Sequence, residues 1–216
     1  MAEAQELIQR YPNGQVKQIA HQVEGKLEGE ALSYDPDGRL ICRATFKQGL
    51  LHGETILYDA RGAIAQQLNY ANGQLNGPAL IYVDQRPRWK TFYKDGKQEG
   101  EAILGDEAGR PTAKFTYHAG VLEGQASWLD EANRVVRKSL YQGGQLNGPT
   151  AEYYPSGKVR RVLHYKDGLL HGEVLSYDED GKLKEKLYYQ NGLRVPEPPG
   201  RPSVALAGQG EVKKTR

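Results

Sequence analysis

The sequence predicts an all-β fold: an elongated, twisted antiparallel meander of about seven and a half copies of a 24-residue hairpin repeat. Three observations predict it. Glycines recur on fixed ladders, tyrosines keep the same register, and each copy divides into two short strands bounded by turn residues.

The first ladder runs Gly25, Gly49, Gly73, Gly96, Gly120, Gly144, Gly168, Gly192, and the second Gly29, Gly53, Gly77, Gly100, Gly124, Gly148, Gly172. A third runs Gly14, Gly38, Gly62, Gly109, Gly157, Gly181, with Arg86 and Asn133 in the missing rungs. The step is 24 residues, except for 23 between Gly73 and Gly96. Tyr70, Tyr93, Tyr117, Tyr141, Tyr165 and Tyr189 precede a first-ladder glycine by three residues, with Phe46 in the earliest copy. Tyr34, Tyr58, Tyr82, Tyr153 and Tyr177 follow a second-ladder glycine by five.

Copy one shows the local logic. Glu30–Asp35 leads into Pro36-Asp37-Gly38 and then Arg39–Phe46. A three-residue loop ending in glycine suits a type I turn closed by a left-handed residue, which glycine adopts without a Cβ clash. Pairing Asp35 with Arg39 sets Tyr34 opposite Leu40, and strict alternation then adds Leu32, Ala44 and Phe46 to that face. In the last copy the same rule groups Leu175, Tyr177, Leu183, Leu187 and Tyr189, leaving Ser176, Lys182, Lys184 and Lys186 on the polar side. The array is expected over 11–193. Residues 1–10 are expected to form a short helix or an edge cap. Residues 194–216, rich in proline and glycine and basic, are expected to be a disordered tail.

Hydrophobic residues make up 38% of the 216, and 29 basic residues face 27 acidic ones. That balance supplies no field for nucleic acid, so none is expected as partner. Cys42 is the only cysteine, which excludes an internal disulfide and fits the cytosol. The opening MAEAQELIQR carries Glu3 and Glu6 and no apolar run, so it does not read as a signal peptide. No 18-residue apolar stretch exists. Peripheral membrane binding would rest on Lys213, Lys214 and Arg216 alone, with no amphipathic helix beside them, and is not expected.

No enzyme signature is present. The histidines His21, His52, His118, His164 and His171 have no zinc-ligand spacing, so no metal and no cofactor are expected. Glu30, Glu54, Glu101 and Glu173 recur at one register and read as solvated strand starts rather than acid–base pairs. Cys42 reads as a packing residue beside Leu40 and Ala44 rather than a nucleophile.

One feature exceeds the repeat. The position four after each second-ladder glycine reads Ser33, Leu57, Ile81, Leu104, Trp128, Glu152, Ser176: four apolar inner copies between polar outer ones. They would form a stripe about 30 Å long on the face opposite the tyrosines. It would be flanked by Thr55, Ala79, Ala102 and Ala126 and widened by Phe92 and Leu140. Two readings are open: this face packs against another part of the chain, such as the N-terminal segment, or it receives a partner. The candidate partner-binding residues are Leu57, Ile81, Leu104, Trp128, Trp89 and Arg88; the face of Trp89 depends on where the missing residue fell.

The core YxxGxLxGxxxxYDxxGxL, as in Tyr70–Gly77 and Gly172–Leu183, resembles the MORN repeat, and more closely the variant of bacterial YwqK-type antitoxins. The middle departs from it: Gln85-Arg86-Pro87 replaces DxxGxL, Gly105 and Leu129 replace tyrosine, and Asn133 replaces glycine. The resemblance implies a non-catalytic antitoxin or immunity protein whose partner is a cognate protein toxin. A structural scaffold is the alternative. Oligomeric state is not legible.

Overall fold

The structure, a computed structural model, describes residues 3–198. These form one open antiparallel sheet in which chain order is sheet order. In order the strands are β1 (Gln5–Arg10), β2 (Val16–Val23), β3 (Lys26–Leu27), β4 (Gly29–Tyr34), β5 (Leu40–Lys47), β6 (Leu50–Tyr58) and β7 (Ile64–Ala71). Next come β8 (Gln74–Leu75), β9 (Gly77–Val83), β10 (Arg86–Lys94), β11 (Lys97–Gln98), β12 (Gly100–Gly105), β13 (Pro111–His118) and β14 (Val121–Leu122). The last are β15 (Gly124–Leu129), β16 (Val135–Gln142), β17 (Gln145–Tyr153), β18 (Val159–Lys166), β19 (Leu169–Tyr177), β20 (Leu183–Gln190) and β21 (Leu193–Val195). The two-residue pieces β3, β8, β11 and β14 lead directly into the strands that follow them. Substantial contacts occur only between strands adjacent in the sheet, so the array is a single layer.

Two kinds of turn alternate, one on each margin. The first-ladder glycines close two-residue turns with both residues at positive φ, such as Gln48 (52°) and Gly49 (84°) between paired Lys47 and Leu50. This is the type I′ geometry that matches strand twist. Each such glycine from Gly49 onward also donates its N–H to a carbonyl of the preceding copy, as in Gly49 to Leu27 and Gly192 to Leu170 (both 2.8 Å). These bonds stitch successive copies along one margin. On the other margin the three-residue loop appears as expected: the Asp35 N–H donates to Arg39 O, and Gly38 N–H to Asp35 O. The Asp35 carboxylate accepts the N–H groups of Asp37 and Arg39. Asp59, Asp106, Asp130 and Asp178 repeat that pattern.

Strict alternation fails at one place in every copy. Tyr34 pairs with Leu40, but Ser33 pairs with Cys42, so Ile41 is an extra residue in a β-bulge. Leu32, Tyr34 and Leu40 therefore share one face with Arg43, while Ala44 and Phe46 lie on the other with Cys42. The expected grouping of all five on one face is wrong for this reason. Likewise Leu175, Tyr177 and Leu183 share a face with Lys186, whereas Leu187 and Tyr189 lie with Ser176. The two tyrosine rows occupy opposite faces.

The face bearing Phe46 and Tyr70 carries a central row of directly paired, mostly small residues. It includes Ala20, Ala31, Ala44, Thr55, Ala79, Thr91, Ala102, Ala126, Ser139 and Thr150, all buried. Residues 5–10 are neither helix nor a cover: β1 is an edge strand, pairing Leu7 with Ala20. At the far end β21 pairs with β20, and the Glu197 carboxylate accepts from the Tyr188 hydroxyl at 2.8 Å and pairs with Lys186 at 3.4 Å. The remainder of the expected tail, from 199 onward, lies outside the described residues.

Candidate functional site: an aromatic cluster on one sheet face

The candidate stripe exists as a row parallel to the small central row and on the same face. Direct pairings run Ser33, Cys42, Leu57, Gln66, Ile81, Trp89, Leu104, Ala113, Trp128, Arg137, Glu152. Leu57, Ile81, Leu104 and Trp128 all fall in it, and Trp89 joins them between Ile81 and Leu104.

The placement of Trp89 follows from the missing residue. Val83 pairs with Arg86, so Asp84 and Gln85 form a two-residue turn at φ 50° and 61° in place of the three-residue loop. The deletion is absorbed in the loop, and the bulge beyond it survives between Pro87 and Trp89. Arg88 is the bulge residue. It is half-buried beside Trp89 and has no ion pair among the described residues.

The same shortened turn explains an oddity in the next copy. A Cβ on Gly105 would stand 2.6 Å from the Pro87 carbonyl oxygen. No side chain fits, so the tyrosine of the regular copies is replaced by glycine where the short hairpin lies alongside.

The apolar row is more than a line of aliphatic groups. Phe115, in the central row at the return-strand position that Ala44, Leu68, Ser139 and Leu163 fill in other copies, packs between the tryptophans. Its ring centroid is 6.1 Å from Trp89, tilted 39°, and 6.0 Å from Trp128 in edge-to-face geometry at 88°. The Arg137 guanidinium lies 4.8 Å from the Trp128 centroid, and its Nε donates to Ser139 Oγ at 3.2 Å. Aromatic pairs add about 0.5–1.5 kcal/mol beyond their burial, and a cation over an exposed ring about 0.5–1 kcal/mol. The three rings and the Arg137 guanidinium thus form one contiguous aromatic surface. Ile81 and Leu104 remain 38% and 39% exposed beside it. Along the row Gln66 bounds the cluster towards the N-terminus, with Leu57 and Cys42 beyond it, and Glu152 and Arg161 follow Arg137 towards the C-terminus.

Phe92 and Leu140 do not widen this patch. They are exposed on the opposite face, because each follows a central-row residue, Thr91 and Ser139. Leu57 is separated from the aromatic cluster by Gln66. Phe115 and Arg137 lie on return strands, outside a stripe defined by outgoing strands alone, and the same 24-residue period reaches both.

The remaining candidate chemistry resolves into structure. Glu54 pairs with Arg43 at 3.1 Å and accepts from Gln67, Glu101 pairs with Lys114, and Glu173 with Lys186. These are cross-strand ion pairs on the face opposite the tryptophans. His118 sits 2.9 Å from Glu99, and His164 is 3.0 Å from the Glu173 carbonyl. Burial raises the Cys42 thiol above its ordinary value, the opposite of an activated nucleophile. No grouping of His, Cys, Asp and Glu among the described residues could hold a metal ion.

Solved structures resemble the chain only distantly. One is the glycosylation-associated protein Gap123 complex from Streptococcus agalactiae (14% identity, 47% of this chain, 19% of that chain, TM-score 0.31). A second is the GtfA/B complex bound to UDP and GlcNAc (16% identity, 50% of this chain, 22% of that chain, TM-score 0.22). A third is a porin-like protein from Bacteroides uniformis (11% identity, 89% of this chain, 91% of that chain, TM-score 0.21). The chain spans about a fifth of the length of the first two. Scores this low carry no functional argument. No curated protein matches the chain. A family match does exist: residues 27–48, 51–75, 146–167 and 170–191 match the MORN repeat variant family. The chain therefore carries MORN-variant repeats in two pairs, set on either side of an unmatched centre that holds Ile81, Trp89, Leu104, Phe115, Trp128 and Arg137.

Proposed function

We propose that the chain is a non-catalytic protein-binding module that receives its partner on the tryptophan face of the central copies. We further propose that this partner is a protein toxin, neutralised by occlusion in the cytoplasm. The observation that carries the reading is the aromatic cluster itself. A tilted and edge-to-face Trp–Phe–Trp group, flanked by Ile81 and Leu104 on a face that no other element among the described residues covers and bounded along its row by Gln66 and Glu152, is the composition of an interface centre. Its position supports the same reading, since it lies where the chain departs from the family pattern and the flanking copies keep it. Regular copies suffice to build the sheet; the irregular ones carry the distinctive surface. The fitting partner surface has an apolar projection for the cluster and carboxylates placed for Arg88 and Arg137. The resemblance of the regular copies to YwqK-type antitoxins supports a toxin as that partner.

The test is co-expression with the product of the adjacent gene, scoring survival. Wild type should rescue growth. Folded Trp128→Ala should weaken binding roughly 30- to 1000-fold, the range for an anchoring tryptophan worth about 2–4 kcal/mol, and should lose rescue. A wild-type protein that rescues no toxic neighbour removes the antitoxin role.

A further inference from the structure

We infer that two copies of this chain join edge to edge through β1, extending the sheet across a two-fold axis. The inference does not depend on the proposed toxin partner.

The two edges of the sheet are unlike. The C-terminal edge, β21, has three residues and is followed by Pro196 and Pro198, neither of which has an N–H to offer. Prolines and shortness are the usual guards against edge pairing. The N-terminal edge lacks both. β1 has six residues, no proline, and pairs only with β2 among the described residues. Its outer N–H and C=O groups are a template for one more strand.

The sequence of β1 selects that strand. Antiparallel pairing about a two-fold normal to the sheet keeps each face on its own side, so only registers that pair same-face residues are allowed. Centring the axis on Ile8 sets Ile8 against Ile8 of the second copy, Glu6 against Arg10, and Arg10 against Glu6. Ile8 is 47% exposed, large for an isoleucine in a strand. Glu6 and Arg10 are exposed and free of ion pairs among the described residues, although Arg10 donates to the Gly14 carbonyl at 3.0 Å. Centring on Leu7 places Glu6 opposite Ile8, and centring on Gln9 places Arg10 there. A shift that centres on Glu6 opposes two like charges. One register alone matches apolar to apolar and acid to base. Opposite charges directly across a strand pair stabilise it, and like charges destabilise it. Along the joined sheet, at about 4.8 Å per strand step, the two copies of Trp89 would lie roughly 70 Å apart and the two copies of Trp128 roughly 100 Å apart.

The test is sedimentation velocity of the full chain across a concentration series, with circular dichroism to establish folding. Wild type should dimerise. Glu6→Arg and Arg10→Glu should each weaken the dimer about tenfold or more, because both cross-edge pairs become repulsive. An equimolar mixture of the two variants restores both opposite-charge pairs and should recover a dimer of near wild-type strength. A wild-type monomer at every concentration overturns the inference. So do single variants that dimerise as well as wild type, or a mixture that fails to recover the dimer.

Discussion

Ser139 Oγ accepts a hydrogen bond from the buried Thr150 hydroxyl at 2.9 Å. The same oxygen accepts the Arg137 Nε–H, and Arg137 in turn covers Trp128. One hydroxyl thus ties the buried central row to the aromatic surface.

Ser139→Ala should therefore cost about 1–3 kcal/mol, since it strands a buried hydroxyl on Thr150 and frees Arg137. Thr55 lies in the same row and its hydroxyl is buried without a partner among the described residues. Thr55→Val keeps the branched shape and removes an unsatisfied group, so it should be neutral or stabilise by up to about 1 kcal/mol. Urea denaturation of both variants checks the opposite signs. Equal losses would mean that the two hydroxyls do not differ in pairing.

Gly105→Ala should destabilise by more than about 2 kcal/mol, because the new Cβ would meet backbone, the Pro87 carbonyl oxygen, at 2.6 Å. Inserting a residue into the Asp84-Gln85 turn to restore a three-residue loop should reduce that penalty. A simple additive loss in the double variant would break the proposed link between the short turn and the missing tyrosine.

Gln85 holds φ at 61° in a two-residue turn whose favoured residues are Asn-Gly and Asp-Gly. Gln85→Gly relieves that left-handed strain and should raise the melting temperature, with a gain of up to about 1 kcal/mol. A fall in melting temperature would contradict the turn geometry.

The turn carboxylates predict an acid limb. Asp59, Asp106 and Asp130 are held below the ordinary value of 3.8, chiefly by the backbone N–H groups of Ala63, Arg110 and Arg134. Their folded forms favour the charged state, so the stability they contribute is complete above that ordinary value and is lost as pH falls through their lowered values. The melting temperature should hold from neutral pH into the mild acid range and drop below it. Replacing all three with asparagine should flatten that drop; an unchanged acid limb would assign it to other groups.

The repeat, its turns and the apolar row could all be read from residue spacing, because glycine ladders and period-two patterns are local. The face assignments could not. The bulge at Ile41, Arg88 and their equivalents leaves no mark in composition, yet it transfers Ala44 and Phe46 to the face opposite Tyr34. Phe115 and Arg137 entered the site through the pairing of return strands, and Phe92 and Leu140 left it by the same register. The three-residue pattern broken at Gln85-Arg86-Pro87 was visible, but its repair by a type I′ turn depended on two adjacent positive φ angles.

The central claim is that the partner binds the tryptophan face of the unmatched central copies. Isothermal titration of the partner with face-specific variants tests it most directly. Trp89→Ala and Trp128→Ala alter that face, while Lys90→Ala and Lys138→Ala alter exposed residues on the opposite face of the same strands or their neighbours. The account predicts that each tryptophan variant weakens binding at least about 30-fold and that each lysine variant leaves it within about threefold. Loss of binding in the lysine variants, with tryptophan variants that bind as wild type, would place the partner on the other side of the sheet.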